Sequence, residues 1–241
     1  MNFQATDFEF RYRFWLIAGI FWLGFAFYSL GDVNVGVALA RLSLRRTSET
    51  SPLFVLYIRS VFVLGTLIAV LAAAIRTWAG AYLHSSVVHD AVLHSDRLVA
   101  EGPFRRLRNP LYLGTVLLAI GIGTLASRVG FLIMVAGMVF FTYRLILREE
   151  AQLLGSQGES YRRYFVAVPR MLPSLRPRVP SGGAKPDWFD AFLGETFIWS
   201  FAAGMAAYAI SERLLHFWIV AGFGFGAYFI QYYARRGNRP A

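Results

Sequence analysis

Six apolar runs, each near the length a bilayer demands, leave this chain few folds to choose from. They are Tyr12–Leu30, Leu53–Ile75, Pro110–Ala126, Val129–Leu147, Phe189–Ile210 and Leu214–Tyr233. A membrane-spanning helix needs roughly 20 predominantly apolar residues. The runs therefore predict an all-α, polytopic transmembrane helical bundle of about six spans. Composition agrees: 56% of the residues are hydrophobic, 17% are aromatic and the mean hydropathy is +0.48, too apolar for an ordinary soluble domain. The formal net charge is +10, and every basic residue except Lys185 is arginine. These arginines flank the apolar runs, so membrane topology and anionic lipid account for them and a nucleic-acid partner is not expected. Cysteine is absent, which excludes disulfides, thiolate catalysis and cysteine-ligated metals. No cleavable signal peptide is evident, and the first run reads as a retained helix.

Polar segments between the runs set the topology. Residues 1–11 are mixed in charge and interfacial. Gly31-Asp32 ends the first run, residues 33–46 are weakly amphipathic and then basic, and 47–52 is a loop. The second run carries Arg59 in its first turns, where a charge must snorkel or find a partner; proximity to the helix end favours snorkelling. Residues 76–109 contain His84, His89 and His94, but a spacing of five turns a helix by about 500°, so the three share no face and a metal site is not expected. Ser127-Arg128 is too short a link for anything but a tight return, so the third and fourth runs form a helical hairpin. That hairpin brings Arg108-Asn109 and Arg148-Glu149-Glu150 to one side of the membrane. Residues 148–165 read as an amphipathic helix interrupted near Gly155–Gly158, and 166–186 as an extended Pro/Gly/Arg-rich linker. Six spans put both termini, 76–109 and 148–188 on one side, cytoplasmic by arginine count. Against this, the outer loop after the first run carries Arg41, Arg45 and Arg46; either 33–46 folds back into the interface or the first boundary is misplaced.

The chemistry concentrates in Glu101–Gly114. Pro103 and Pro110 fix φ and remove donors, and Gly102 and Gly114 permit backbone shapes or approaches that a side chain blocks. Arg105, Arg106 and Arg108 stand at the membrane edge, able to hold a carboxylate or phosphate; the plainer alternative is that they only anchor a helix.

Two blocks of the chain carry a resemblance. Gly102-Pro103-Phe104 followed by Arg108-Asn109-Pro110-Leu111-Tyr112-Leu113-Gly114 resembles the G-P-Y…R-[HN]-P-x-Y-x-G signature of integral-membrane methyltransferases, the isoprenylcysteine carboxyl methyltransferases and the related phospholipid N-methyltransferases. Glu149-Glu150, Leu153, Gly158, Tyr161, Tyr164, Val168-Pro169-Arg170 and Pro173 are similar to the E-E-x-x-L…G-x-x-Y-x-x-Y…V-P-R-x-x-P block of the same families. The resemblance covers about residues 53–175. It divides the chain into 1–52, an N-terminal span and connector, 53–178, a methyltransferase core, and 179–241, a linker with two further spans. It implies S-adenosyl-L-methionine as methyl donor, bound in a cytoplasmic-face region of short helices and loops. By the same resemblance Leu98, Val99, Gly102, Phe104, Asn109, Pro110, Tyr112, Glu149 and Glu150 would contact the cofactor. Arg108 and Glu149 would carry catalysis, and Arg144 or Arg148 would face the acceptor. Phe104 replaces a tyrosine, and Asn109 replaces the histidine that the carboxyl methyltransferases favour; both departures weigh against prenylcysteine in particular.

Methyl transfer from a sulfonium is an in-line displacement for which the protein supplies positioning and electrostatics. A carboxylate acceptor benefits from a nearby arginine, whereas an amine must first lose a proton, for which Tyr143, Tyr161, Tyr164 or a glutamate are candidates. The expected partners are a lipid or prenylated amphiphilic acceptor, membrane lipids and a second copy of the chain. Two other readings compete. Membrane sterol reductases resemble the same fold but carry R-H-P-N-Y-x-G-E, and here Thr115 follows Gly114 in place of the acid. The two C-terminal runs also suit a non-catalytic scaffold or a transporter.

Overall fold

The computed structural model describes residues 3–30, 33–83 and 100–237. Among them are nine α-helices and no strand. Six are the apolar helices of the bundle: α2 (Arg13–Ala26), α4 (Pro52–Gly80), α5 (Pro110–Gly123), α6 (Arg128–Ala167), α8 (Thr196–Ser211) and α9 (Leu214–Gly237). Three short helices lie beside them: α1 (Asp7–Arg11), α3 (Val35–Ser43) and α7 (Trp188–Gly194). By length and composition Pro52–Gly80, Arg128–Ala167 and Leu214–Gln231 suffice to cross a membrane, while α2, α5 and α8 are apolar but shorter. The six expected runs are thus mainly helical, but the fifth, Phe189–Ile210, is divided at Glu195 into α7 and α8.

Local chemistry sets the helix starts. Ser51, Ser127 and Asn34 each accept a hydrogen bond from a backbone N–H in the first turn of α4, α6 and α3, relieving donors that a helix N-terminus leaves unpaired. Pro52 and Pro110 occupy first-turn positions that need no donor. Helix α4 runs past its expected end at Ile75 to Gly80, because Arg76 is folded inward rather than left in lipid. Helix α6 joins the fourth run and the amphipathic segment into one element, broken only at Gly158 (φ 55°, ψ −129°).

The bundle alternates up and down. At one end the Ala5 N–H donates to Arg144 O (3.1 Å), and the start of α8 meets the end of α4. At the other end the Val35 N–H donates to Ala126 O (3.0 Å) and the Ser127 hydroxyl to Phe27 O (3.1 Å). The N-terminal segment, 100–109 and 148–187 therefore share one end, as the hairpin argument requires. Helix α3 lies at the opposite end. Its Arg41 is neutralised by Glu49 (2.7 and 3.2 Å), so the basic loop that conflicted with the charge rule is less positive than its sequence implies. Arg59 is also paired, with Glu212, rather than simply snorkelling.

Small buried residues, Ala69, Ala72 and Ala202, let the helices close around Phe62, Leu118, Ile122, Met205 and Phe217. This core joins α4 and α5 to α8 and α9, so the C-terminal pair is packed into the bundle.

Candidate active site

The site end is built by a strap laid antiparallel along residues 101–108. After α6 ends at Ala167, the Arg108 N–H donates to Pro169 O (2.9 Å), the Ser174 N–H to Arg106 O (2.9 Å) and the Arg178 N–H to Arg105 O (2.7 Å). The Arg105 side chain donates to Val179 O (3.0 Å), and Ser181 donates to the Glu101 carboxylate (2.9 Å), which also accepts from the Gly182 N–H. Burial works against the charge on Glu101, but the hydrogen bonds from Ser181 and Gly182 outweigh it and hold the carboxyl below its ordinary value. The segment expected to be a linker is thus tied along its length to the chemically dense stretch, at residues 101, 105, 106 and 108.

Gly102 makes the turn into that stretch. Its φ is +55°, and a Cβ there would lie 2.2 Å from the Tyr82 ring, so both backbone shape and space require glycine. Phe104 is buried and contributes its carbonyl, which accepts from Tyr164 Oη at 2.9 Å. A tyrosine's hydroxyl is not what this position uses.

Glu150 is the centre of the cluster. Its side chain is 4% exposed and that of Arg108 6%, which places the pair out of water. Arg108 Nε lies 3.1 Å from Glu150 Oε1. Asn109 Nδ2 donates to the same oxygen at 3.3 Å and to Arg170 O at 3.1 Å. Arg170 Nε and Nη2 both reach Glu150 Oε2 at 2.9 Å, and Nη1 donates to Tyr143 Oη at 2.9 Å. The Arg108 guanidinium lies 3.9 Å from the Phe165 ring centroid and donates to Phe165 O. One carboxylate is thus shared by two guanidiniums, and the cluster keeps net positive charge. Next to it, an open depression of about 570 Å³ is lined by Arg108, Phe165, Pro169, Arg170 and Arg178.

Glu149 points elsewhere, since adjacent helical residues diverge by about 100°. Tyr112 Oη donates to Glu149 Oε1 at 2.6 Å. Glu149 is partly exposed, and the charge of the buried Arg13 also acts on its carboxylate.

Sequence-predicted residues fall into three groups. Arg108, Asn109, Tyr112, Glu149 and Glu150 are brought together where α5 begins and α6 passes, and Pro110 starts α5 beneath them. Arg144 and Arg148 are held away by the N-terminal segment. Arg144 Nη2 donates to Gln4 O (3.0 Å) and Glu9 (2.7 Å), and Arg148 donates to Ala5 O (3.1 Å) and Asp7 (2.5 Å). Leu98, Val99 and the three histidines of 84–94 lie outside the described residues. Arg170 was missed as a site residue, although the V-P-R motif contained it. Its signal was an arginine set directly after a proline that ends a helix.

Residues 60–160 match the phospholipid methyltransferase family model. This is one of the two families that the motif blocks resemble, and its activity is methyl transfer at a membrane. The phospholipid methyltransferase match opens in α4 and closes in α6, enclosing Arg108, Asn109, Tyr112, Glu149 and Glu150. Arg170, the strap, α7, α8 and α9 lie beyond it. No match is found among curated proteins or among solved structures.

Proposed function

We propose that this chain is an integral membrane methyltransferase that uses S-adenosyl-L-methionine to methylate an amphiphilic acceptor, a prenylcysteine-type carboxylate or a lipid amine, at the cytoplasmic face. The observation that carries this reading is the convergence of Arg108, Asn109 and Tyr112 on Glu149 and Glu150 within the stretch that matches the methyltransferase family.

The donor set suits the amino-acid end of that cofactor. Glu149 offers a partly exposed carboxylate for an ammonium or a hydroxyl, and Arg108 and Arg170 face the depression with charge in excess of Glu150, which suits a carboxylate. The cofactor supplies an activated methyl group on a sulfonium. Glu150 holds the two guanidiniums in place, Asn109 ties the start of α5 to the strap, and Tyr112 fixes the rotamer of Glu149. Preorganised charges of this kind are the main source of stabilisation available when the donor is already activated.

The deciding experiment uses the full chain in lipid nanodiscs. S-adenosylmethionine binding should be measurable and should weaken in Glu149→Gln. A radiolabelled-methyl assay across lipid amines, prenylcysteine analogues and amphiphilic acids should label one class. NADPH binding in place of S-adenosylmethionine would favour a reductase; binding of neither would favour a scaffold.

A further inference from the structure

A second buried charge pair stands outside the site just described, and it bridges the matched stretch and the C-terminal helices. Arg76, in the last turns of α4, donates from Nε to Glu195 Oε2 at 2.7 Å and from Nη2 to Glu195 Oε1 at 2.9 Å. Its Nη1 donates to Leu111 O at 3.2 Å and to Thr115 Oγ1 at 2.9 Å. Four of the five guanidinium N–H groups are thereby used. The Glu195 side chain is 2% exposed and that of Arg76 12%.

Gly114 makes this possible. A Cβ there would lie 2.4 Å from Arg76 Cγ and 3.1 Å from Ala72 O. The last glycine of the first motif block is therefore the seat of the Arg76 side chain. Leu111 and Thr115 belong to the first turns of α5, the turns that carry Tyr112 and follow Asn109-Pro110. The guanidinium fork is rigid, so fixing one side of it on Glu195 fixes the other side on α5.

We propose that Glu195 is a positioning residue: acting through Arg76, it holds the first turns of α5, and with them Asn109 and Tyr112, in register with Glu149 and Glu150. This rests on the methyltransferase reading for its functional meaning, but not for its mechanical part. The C-terminal helices thereby become a working part of the catalytic body. Loss of either partner leaves the other buried without a counter-charge.

The test compares Glu195→Gln with Trp199→Phe in the full chain in nanodiscs. Trp199 lies one turn further along α8, and its Nε1 donates to Thr77 Oγ1 at 2.9 Å, so Trp199→Phe loosens the same helix without touching Arg76. Amide hydrogen exchange is read over 109–116 and over 196–211, together with S-adenosylmethionine affinity and thermal stability. Glu195→Gln should speed exchange over 109–116 while 196–211 stays protected, and should weaken S-adenosylmethionine binding by on the order of tenfold, as a small misplacement does. Gly114→Ala should repeat that pattern with both charges present. Trp199→Phe should leave 109–116 and the affinity as in wild type. The proposal is overturned if Glu195→Gln leaves exchange over 109–116 unchanged, if Trp199→Phe has the same effect, or if Glu195→Gln unfolds α8 along with the first turns of α5. Should the wild-type protein bind no S-adenosylmethionine, the methyltransferase reading falls, and the exchange comparison still decides whether Glu195 holds α5.

Discussion

Asn109 and Glu150, 41 residues apart in the chain, meet through a 3.3 Å side-chain hydrogen bond at one end of the bundle. The hairpin of α5 and α6 carries the chain away and back, and Asn109, just before α5, stands opposite a glutamate on the returning helix. Asn109 also donates to Arg170 O, so one amide ties the start of α5 to both α6 and the strap. This is the geometric basis for expecting the two motif blocks to act as one unit.

Glu149 and Glu150 should separate on substitution despite being neighbours. Glu150→Ala leaves Arg108 and Arg170 without their carboxylate. Removing one partner of a buried ion pair costs about 3–5 kcal/mol, so the variant should unfold at a clearly lower temperature as well as lose turnover. Glu149→Gln keeps a hydrogen-bond acceptor for Tyr112 and leaves Arg108 and Arg170 with their carboxylate on Glu150. It should insert and melt like the wild type while losing turnover by at least about 100-fold, the range for removing one preorganised electrostatic contact. Thermal melts in detergent alongside single-turnover methyl transfer would distinguish the two; equal melting temperatures would contradict the assignment of Glu150 as the structural hub.

Arg108→Lys should fail to substitute for the wild type. The guanidinium lies against the Phe165 ring, donates to Phe165 O and approaches Glu150 at once. An ammonium is a compact, strongly hydrated point charge that cannot serve a planar stacking site and two acceptors together. Turnover should fall by about tenfold or more, since losing even one good contact of about 1.4 kcal/mol has that effect. Wild-type kinetics in the lysine variant would mean that only charge is needed at this position.

Much of the architecture was legible before any coordinates, because apolar runs bounded by arginines and a two-residue turn admit few arrangements in a membrane. Pairing partners were not legible. Arg144 and Arg148 sit on the same helix as Glu149, and sequence alone placed them with it, but side chains four residues apart follow one face of α6 and that face meets Gln4–Glu9. Arg59 reads as a snorkelling charge and Arg76 only as the start of a polar stretch; their partners, Glu212 and Glu195, lie more than 100 residues away and no periodicity announces them. The strap read as a linker because its proline content hides the backbone hydrogen bonds it makes with 101–108. Arg170 was hidden for the same reason, since its role appears only once that strap is laid down.

The strap should loosen in acid. Glu101 holds Ser181 and Gly182 as a carboxylate, and its folded-state value lies below the ordinary 4.5. A carboxyl with a depressed value contributes stability that is fully present above the ordinary value and is lost as pH falls through the folded one. Proteolytic cleavage within 176–186 should therefore be slow at pH 7, remain slow to about the ordinary carboxylate range, and accelerate below it. Glu101→Gln should cleave quickly at pH 7 and lose that dependence. A pH-independent cleavage rate in the wild type would remove Glu101 as the anchor.

At the far end of the bundle the expectation is the reverse. Arg59 and Glu212 form an ion pair whose side chains are 55% and 46% exposed, against 6% and 4% for Arg108 and Glu150. Exposed pairs contribute about 0–1 kcal/mol, because water already solvates both charges and long side chains lose freedom on pairing. Glu212→Gln should therefore shift the melting temperature by no more than about 4 °C, the upper shift for 1 kcal/mol in a chain of this size, and should leave methyl transfer unchanged. The same isosteric change at Glu150 removes a charge that the buried Arg108 and the partly exposed Arg170 both depend on. If Glu212→Gln were as damaging as Glu150→Gln, burial would not be what sets the worth of these pairs.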